Sequence, residues 1–221
     1  MQQFEQPVAE NTHNIWCTMV SADSEACGAA TVAESIRGVG SKYPIWCMVT
    51  MEVSSECKEW LFTKFTNVVV VPIIRYLVPA RSATGKYHCK FYSGFTKWNI
   101  CILPVDKVIL IASNMIFVDN CDVLFDLQAP ALTFAMPPTM VKYRPNITNQ
   151  YGPLLHGQSV DRELIRKGFN GGILGLSTMV LISPSTTLHE ALLKRLTERK
   201  IFGSLKSGSE FDEQLLASAL L

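Results

Sequence analysis

The chain has 221 residues, 48% of them apolar, so it can bury a large core, and its length favours a single domain. Twenty basic residues balance nineteen acidic ones, and no basic stripe is present, which argues against nucleic-acid binding. The N-terminus lacks a basic stretch followed by an apolar one, and the longest apolar run, Val68–Ile74, is too short to span a membrane. We therefore predict a polar tail at residues 1–13, one domain over 14–221 and a cytoplasmic location.

The cysteines and histidines argue against a metal site. Seven cysteines are scattered along the chain without a CxxC pair, and the four histidines show no metal-ligand spacing. The odd number of cysteines, most of them in apolar surroundings, is typical of small buried side chains in a reducing compartment. The sequence predicts neither a zinc ribbon nor a disulfide framework.

Two similar stretches open the predicted fold, NIWCTMV at 14–20 and PIWCMVT at 44–50. Both are apolar throughout, as expected of strands that are covered on both faces. Between them, residues 26–37 carry apolar side chains at helical spacing. Strand, helix and strand predict a βαβ unit with parallel strands. We interpret the similarity as a shared burial constraint on neighbouring strands and not as a repeat.

The alternation of helices and strands continues along the chain. A second helix is predicted over Ser54–Thr66, with Trp60, Leu61 and Phe65 on one face. Pro72 indicates that the next strand, Asn67–Ile74, lies at a sheet edge or ends early. The remaining predicted elements are a helix at Phe95–Leu103, strands at Lys107–Ile111, Leu132–Ala135 and Asn170–Leu176, a helix that starts at Ser183-Pro184 and a helix at Phe211–Leu221.

This order predicts an α/β fold with a mostly parallel central sheet flanked by helices. Ligands of such sheets bind beyond the carboxyl ends of the strands. The candidate site therefore comprises Val20–Asp23, Thr50, Ala112–Asn114 and the long segment 136–168, which is rich in Pro, Asn and Gly.

Three blocks of sequence, in order, resemble retaining glycosyltransferases of family 8, the glycogenin-like group. They are IWCTMVSADSEACGAATVAESIRGVGSKYPIWCMVT, then GFTKWNICIL with DKVILIASNMIFVDNCDVLFDLQAPAL, and KGFNGGILGL. The chain is also similar to glycosyltransferase-like proteins of large DNA viruses such as baculoviruses, which would place it in the host cytoplasm. The resemblance implies a GT-A fold and transfer of a hexose from a nucleoside diphosphate sugar, here a UDP-sugar, to an acceptor with retention.

The family's metal motif is degenerate in this sequence. Family members hold Mn²⁺ with an Asp-x-Asp after the fourth strand and with a C-terminal His, and the positions that match the first motif are Ala112, Ser113 and Asn114. The C-terminal His motif is missing before Leu221. Carboxylates suit Mn²⁺, which neutralises the leaving diphosphate. The resemblance thus predicts no tightly bound metal and weak or metal-independent transfer, or alternatively an inactive relative that binds a nucleotide sugar or a protein partner.

Four positions match the family's nucleotide site. Ser21, Ala22 and Asp23 match its nucleotide-binding loop, and Lys97 matches a lysine that contacts the donor phosphate. Glu25 replaces the aromatic side chain that stacks on the uracil, and a carboxylate cannot stack and repels phosphate. The alternatives are an ordinary capped turn for the loop and a solvated helix lysine for Lys97.

Five positions match the family's sugar site. Asn170, with Gly171 and Gly172, matches the strand that binds the donor sugar and the acceptor. Glu213 and Gln214 match an Asp-Gln pair that contacts the transferred sugar. The resemblance implies catalytic roles for Asn170, Glu213 and Gln214, whereas a strand with a bulge and a solvated helix face are the alternatives.

The nearest carboxylates after the degenerate motif are Asp119 and Asp122. They could replace the missing metal ligands, or they could form the turn that follows the strand. Asp119-Asn120 is typical turn chemistry. We favour the structural alternative for both carboxylates.

Overall fold

A six-stranded sheet forms the centre of the molecule. The computed structural model describes residues 14–75, 94–133, 156–161, 163 and 176–197. The strands are β1 (Asn14–Val20), β2 (Ile45–Val49), β3 (Asn67–Val70), β4 (Lys107–Ile111), β5 (Ala131–Thr133) and β6 (Leu176–Ile182), arranged in the order β3-β2-β1-β4-β6-β5. The first four run parallel, and β6 is antiparallel to both of its neighbours. The predicted α/β class with a mostly parallel sheet is confirmed.

The two similar stretches are neighbouring parallel strands, as predicted. β1 pairs with β2 from Trp16 opposite Ile45 to Val20 opposite Val49. Side chains of β1 alternate between two buried clusters, with Cys17 in one and Trp16 and Val20 in the other. Both faces of the strand are therefore covered, which explains why it is apolar throughout.

Helices cover the two faces of the sheet. Helices α1 (Ala26–Gly38) and α2 (Ser55–Phe62) pack on one face. A 3₁₀ helix, Phe95–Ile102, and helix α3 (Thr186–Thr197) pack on the other. α1 buries the side chains that the sequence spaced helically, among them Ala29, Val32, Ala33 and Ile36. In the described part of the chain, no helix has the length and hydropathy to cross a membrane.

Several boundaries differ from the predictions. α2 ends at Phe62, and Trp60 is 38% exposed, because it is turned by about 100° from the buried Leu61. β3 ends at Val70 and forms a sheet edge, as Pro72 indicated. α3 begins at Thr186, so Ser183-Pro184 does not start it. The Ser185 hydroxyl accepts a hydrogen bond from the Leu188 amide at 3.3 Å and caps the first turn.

The last strand of the sheet was misplaced by the prediction. Residues 176–182 form β6, whereas the predicted strand ended at Leu176. Val180 and Leu181 are buried, and both pair with residues of β4. This long-range pairing determines where the strand begins and ends. β5 starts one residue earlier than predicted, at Ala131. Residues 170–175 and the predicted helix Phe211–Leu221 lie outside the described residues.

A return segment, residues 115–127, leads the chain from the end of β4 back to its beginning. The Phe117 amide donates a hydrogen bond of 3.1 Å to the Ser35 hydroxyl of α1. At the far end, the Lys107 ammonium donates to the carbonyl oxygens of Phe125 and Leu127, at 2.6 and 3.0 Å. Lys107 is the first residue of β4, so strand and return segment together form a closed loop.

Candidate functional site

The carboxyl ends of β1 and β2 are joined by a buried threonine. The Thr50 amide donates to the Val20 carbonyl at 3.2 Å, and the Thr50 hydroxyl donates to the Ser21 carbonyl at 3.1 Å. Thr50 is fully buried. Two hydrogen bonds from one residue thus fix the backbone where β1 ends, and they set the position of the predicted nucleotide loop.

Asp23 is bonded to the beginning of α2. Its Oδ1 accepts the Ser54 amide at 2.9 Å, while the Ser54 hydroxyl, the N-cap of α2, accepts the Cys57 amide at 3.2 Å. The hydrogen bonds from the Ser54 side chain and backbone hold the pKa of the Asp23 carboxyl below its usual value of 3.8. Asp23 thus ties the loop after β1 to α2 and does not cap the turn that follows β1, and its role in nucleotide binding stays a prediction.

Replacing Asp23 by Asn is expected to lower stability near neutral pH. Because the pKa of Asp23 is lowered by folding, its contribution is present above the unfolded value of 3.8 and is lost as the pH falls through the folded value. Urea unfolding of wild type and Asp23→Asn at several pH values measures this difference, which should shrink below pH 3.8. Asp126→Asn, at an exposed position, is the control. A difference that is independent of pH would contradict the prediction.

Ser21 directs two donors at a single carboxylate oxygen. The Ser21 amide and the Ser21 hydroxyl both donate to Oε2 of Glu25, at 2.7 and 2.8 Å. Ser21 is buried, Ala22 is exposed and Glu25 is half-buried. The Glu25 side chain thus folds back onto the end of β1.

The segment Ala112–Asn114 directly follows β4. The Ala112 amide donates to the Thr178 carbonyl at 2.8 Å, which extends the pairing of β4 with β6 by one residue. Helix α1 approaches this segment closely, since a Cβ atom on Gly28 would lie 2.8 Å from the Ser113 carbonyl oxygen. Only glycine allows this approach without a shift of the backbone. Ala112–Asn114 is therefore held both by the sheet and by α1.

The side chains of this segment do not fit Mn²⁺. They offer a methyl group, a hydroxyl and the amide of the exposed Asn114, whereas Mn²⁺ prefers carboxylates. In the ranges that the structure describes, no group of three or more His, Cys, Asp or Glu side chains could hold a metal ion. Ala112–Asn114 therefore supplies no carboxylate to a cation at this strand end.

Asp119 and Asp122 have structural roles away from the strand ends. Asp122 accepts a hydrogen bond from the Ser41 hydroxyl at 2.5 Å and one from the Lys42 amide at 3.0 Å. Asp119 accepts the Asn120 amide at 2.8 Å. The turn after α1 leads into the beginning of β2. These contacts therefore lie at the amino ends of the parallel strands, opposite the candidate site. These hydrogen bonds favour the structural alternative for both carboxylates.

Lys97 lies on a 3₁₀ helix that is anchored beside the carboxyl end of β3. The Ile74 amide donates to the Thr96 hydroxyl at 3.1 Å, and the Asn99 side-chain amide donates to the Pro72 carbonyl at 2.9 Å. Lys97 is half-buried, and its ammonium lies 5.6 Å from the centre of the Trp98 ring. These bonds place the helix at the carboxyl ends of the parallel strands, where Ser21 also lies.

Arg75 is a second cation near the carboxyl ends of the strands, and the sequence analysis did not predict it as a site residue. Its guanidinium lies 3.6 Å from the carboxylate of Glu52, and both side chains are largely exposed. The Glu52 amide in turn donates to the Thr50 hydroxyl at 3.3 Å. The position of Arg75 just after an apolar strand was a usable signal in the sequence.

The five predicted sugar-site residues lie outside the described residues, so their roles stay predictions. They are Asn170, Gly171, Gly172, Glu213 and Gln214. Most of the long segment 136–168 also lies outside them. His156, within the described part of that segment, is exposed.

Solved structures with a similar fold are glycosyltransferases. The galactosyltransferase LgtC, solved with donor and acceptor sugar analogues, matches with a TM-score of 0.55 and 10% identity over 93% of this chain and 70% of LgtC. The bifunctional glycosyltransferase WbbM matches at 0.55 and 16% identity over 97% and 38%. The glycosyltransferase GlyE of Streptococcus pneumoniae matches at 0.53 and 13% identity over 93% and 43%.

Sequence comparison adds one relative. An uncharacterised protein of Acanthamoeba polyphaga mimivirus is 23% identical over 185 residues, which cover 81% of this chain. The chain spans 58% of the length of that relative. No protein-family model matches the chain. The comparisons and the sheet topology together establish that this chain has the GT-A fold of glycosyltransferases.

Proposed function

We propose that this chain binds a nucleoside diphosphate sugar at the carboxyl edge of its sheet and transfers the sugar to an acceptor without a tightly bound metal. The substrate class that we propose is a UDP-hexose, and the transfer proceeds with retention. The observation that carries the proposal is a GT-A sheet whose strand ends meet at Ser21, Thr50 and Ala112, with no carboxylate at Ala112–Asn114.

Charge on the leaving diphosphate must then be met by side chains. An ammonium group binds phosphate through charge-assisted hydrogen bonds, and Lys97 would supply one. Arg75 would add a second cation, because an exposed ion pair such as that with Glu52 is weak and easily exchanged. Two separate side-chain cations organise a diphosphate less well than a divalent ion in a rigid site. We therefore propose weak binding and slow transfer.

The second candidate is a binding module without catalysis. It is favoured by the Glu25 carboxylate at the end of β1, which would repel an anionic donor. Such a protein would bind a nucleotide sugar or a protein partner on the inherited fold. A fold by itself does not decide between the two candidates.

Calorimetry with UDP-glucose and UDP-galactose tests the proposed function. We expect a Kd of about 1 mM or weaker, unchanged between Mn²⁺ and a chelator, because the metal ligands are replaced. Micromolar binding that disappears with the chelator would contradict the proposal.

Two lysine variants make this test specific for the site. Lys97→Met should weaken the binding of UDP-sugars further, whereas Lys64→Met should leave it unchanged. Lys64 lies just after α2, near the beginning of β2, because the Thr66 amide bonds to the Ile45 carbonyl at 2.8 Å. Mass spectrometry of sugar release and transfer then separates the two candidates, since only the enzyme consumes the donor.

A further inference from the structure

The contact between Ser21 and Glu25 has the form of an occupied anion site. The Ser21 amide and hydroxyl converge on one oxygen of the carboxylate, at 2.7 and 2.8 Å. Hydrogen bonds to an ionised acceptor are stronger than neutral ones. The Glu25 carboxylate therefore occupies a position that suits one anionic oxygen.

The backbone of Ser21 is fixed independently of Glu25. The Ser21 carbonyl is held by the Thr50 hydroxyl at 3.1 Å, and the Val20 carbonyl is held by the Thr50 amide. Ser21 is 7% exposed, and Thr50 is fully buried. The Ser21 amide thus keeps its place when the carboxylate leaves, and the hydroxyl stays attached to the same fixed backbone.

The acceptor, in contrast, is placed on a short local turn. Glu25 ends the 3₁₀ turn Asp23–Glu25, directly before α1, and its side chain is half-buried. It reaches Ser21 from only four residues away. A rotation of this side chain would open the two donors to solvent without a movement of the sheet.

We propose that the amide and hydroxyl of Ser21 form an anion-binding cradle for a phosphate group of a nucleoside diphosphate, and that Glu25 fills this cradle in the free protein. The identity of the ligand rests on the function proposed above. The phosphate replaces the carboxylate as the acceptor of the same two hydrogen bonds. Glu25 consequently lowers the affinity, because its displaced charge stays close to the bound anion.

Removal of the charge at Glu25 tests the cradle. Glu25→Gln keeps an acceptor oxygen for the Ser21 amide, so the turn is retained, and it should bind UDP about tenfold more tightly than wild type. Glu59→Gln, an exposed substitution of the same kind on α2, should not change the affinity. Ser21→Ala in the Glu25→Gln background removes the hydroxyl donor and should reverse most of the gain. A purely structural role of Glu25 predicts no gain.

The outcomes separate the cradle from the proposed function. Equal affinities of wild type and Glu25→Gln for UDP would overturn the cradle and leave the proposed function in place. If no variant binds UDP, pyrophosphate becomes the probe. Its binding by Glu25→Gln and not by wild type would support the cradle and contradict the nucleotide function, whereas its absence would overturn the cradle.

The wild-type protein gives a measurement that is independent of any variant. The Ser21 amide resonance in nuclear magnetic resonance spectra reports the charge and distance of its acceptor. Titration with UDP should move this resonance together with the side-chain signals of Glu25. A Ser21 resonance that stays unchanged at saturating UDP would overturn the proposal.

Discussion

Replacing Ala112 and Asn114 together by Asp is expected to produce Mn²⁺-dependent binding of UDP-sugars, about 100-fold tighter than in wild type. The loss of a single supporting group around a metal typically costs about 10–100-fold in affinity, so two carboxylates that bind the ion directly should restore at least that much. The backbone that presents them is in place, because Ala112 is bonded to Thr178 and the Ser113 carbonyl packs against α1.

The matched control is Ala112→Asn in the wild-type background. It introduces a side chain of the same size as the new Asp and leaves Asn114 in place, so the segment carries no charge. Calorimetry of each variant with Mn²⁺ and with a chelator separates the effect of charge from that of shape. A double Asp variant that is folded and yet shows no metal-dependent gain would mean that the strand end no longer presents a nucleotide site.

Truncating Trp16 to Ala should cost about 3–5 kcal/mol in the free energy of unfolding. Trp16 is fully buried, and its ring makes edge-to-face contacts with Phe117 and Phe125 at centroid distances of 5.2 and 5.1 Å. Its indole N–H donates to the Ser41 hydroxyl at 2.9 Å. The truncation leaves a cavity and removes one hydrogen bond of the Ser41 hydroxyl, which keeps its bond to Asp122. Urea unfolding measures the loss.

A second tryptophan provides the comparison. Trp60 is 38% exposed on α2, and Trp60→Ala should cost about 1 kcal/mol or less. Hydrogen exchange adds a local measurement, since Trp16→Ala should weaken protection in the return segment, where both partner rings lie. Similar losses of stability in the two variants would contradict the assignment of Trp16 to the core.

The parallel part of the sheet could be predicted because its signals are local. The apolar runs of β1 and β2 and the helical spacing of α1 lie within single elements, and a βαβ unit follows from their order. β6 was misplaced because its position is decided by pairing with β4, such as Met179 opposite Ile111. The apolar run of β6 alone does not distinguish a strand from a loop that leads into α3.

The candidate site was predictable as a location and not as a set of contacts. Beyond the strand ends, the partner of each side chain depends on residues that are distant in sequence. Asp122 bonds to Ser41, 81 residues earlier, and Asp23 bonds to Ser54, 31 residues later. The sequence identified Glu25 as unusual because an aromatic was missing, but the bond that it makes to Ser21 is visible only in the folded chain.

In the closed loop formed by β4 and the return segment, backbone atoms hold the structure in place, and the side chains at the strand end are left to determine what is bound. Lys107 fastens both ends of this loop, and Ala112–Asn114 lies at its outer bend. The tie of Ala112 to Thr178 is made by its backbone amide, and the atom that packs against Gly28 is the Ser113 backbone carbonyl. Side chains at this bend can therefore be substituted, from charged to neutral or the reverse, while the backbone conformation stays the same. Substitutions at Ala112–Asn114 can therefore change which ligands this strand end binds without changing the fold.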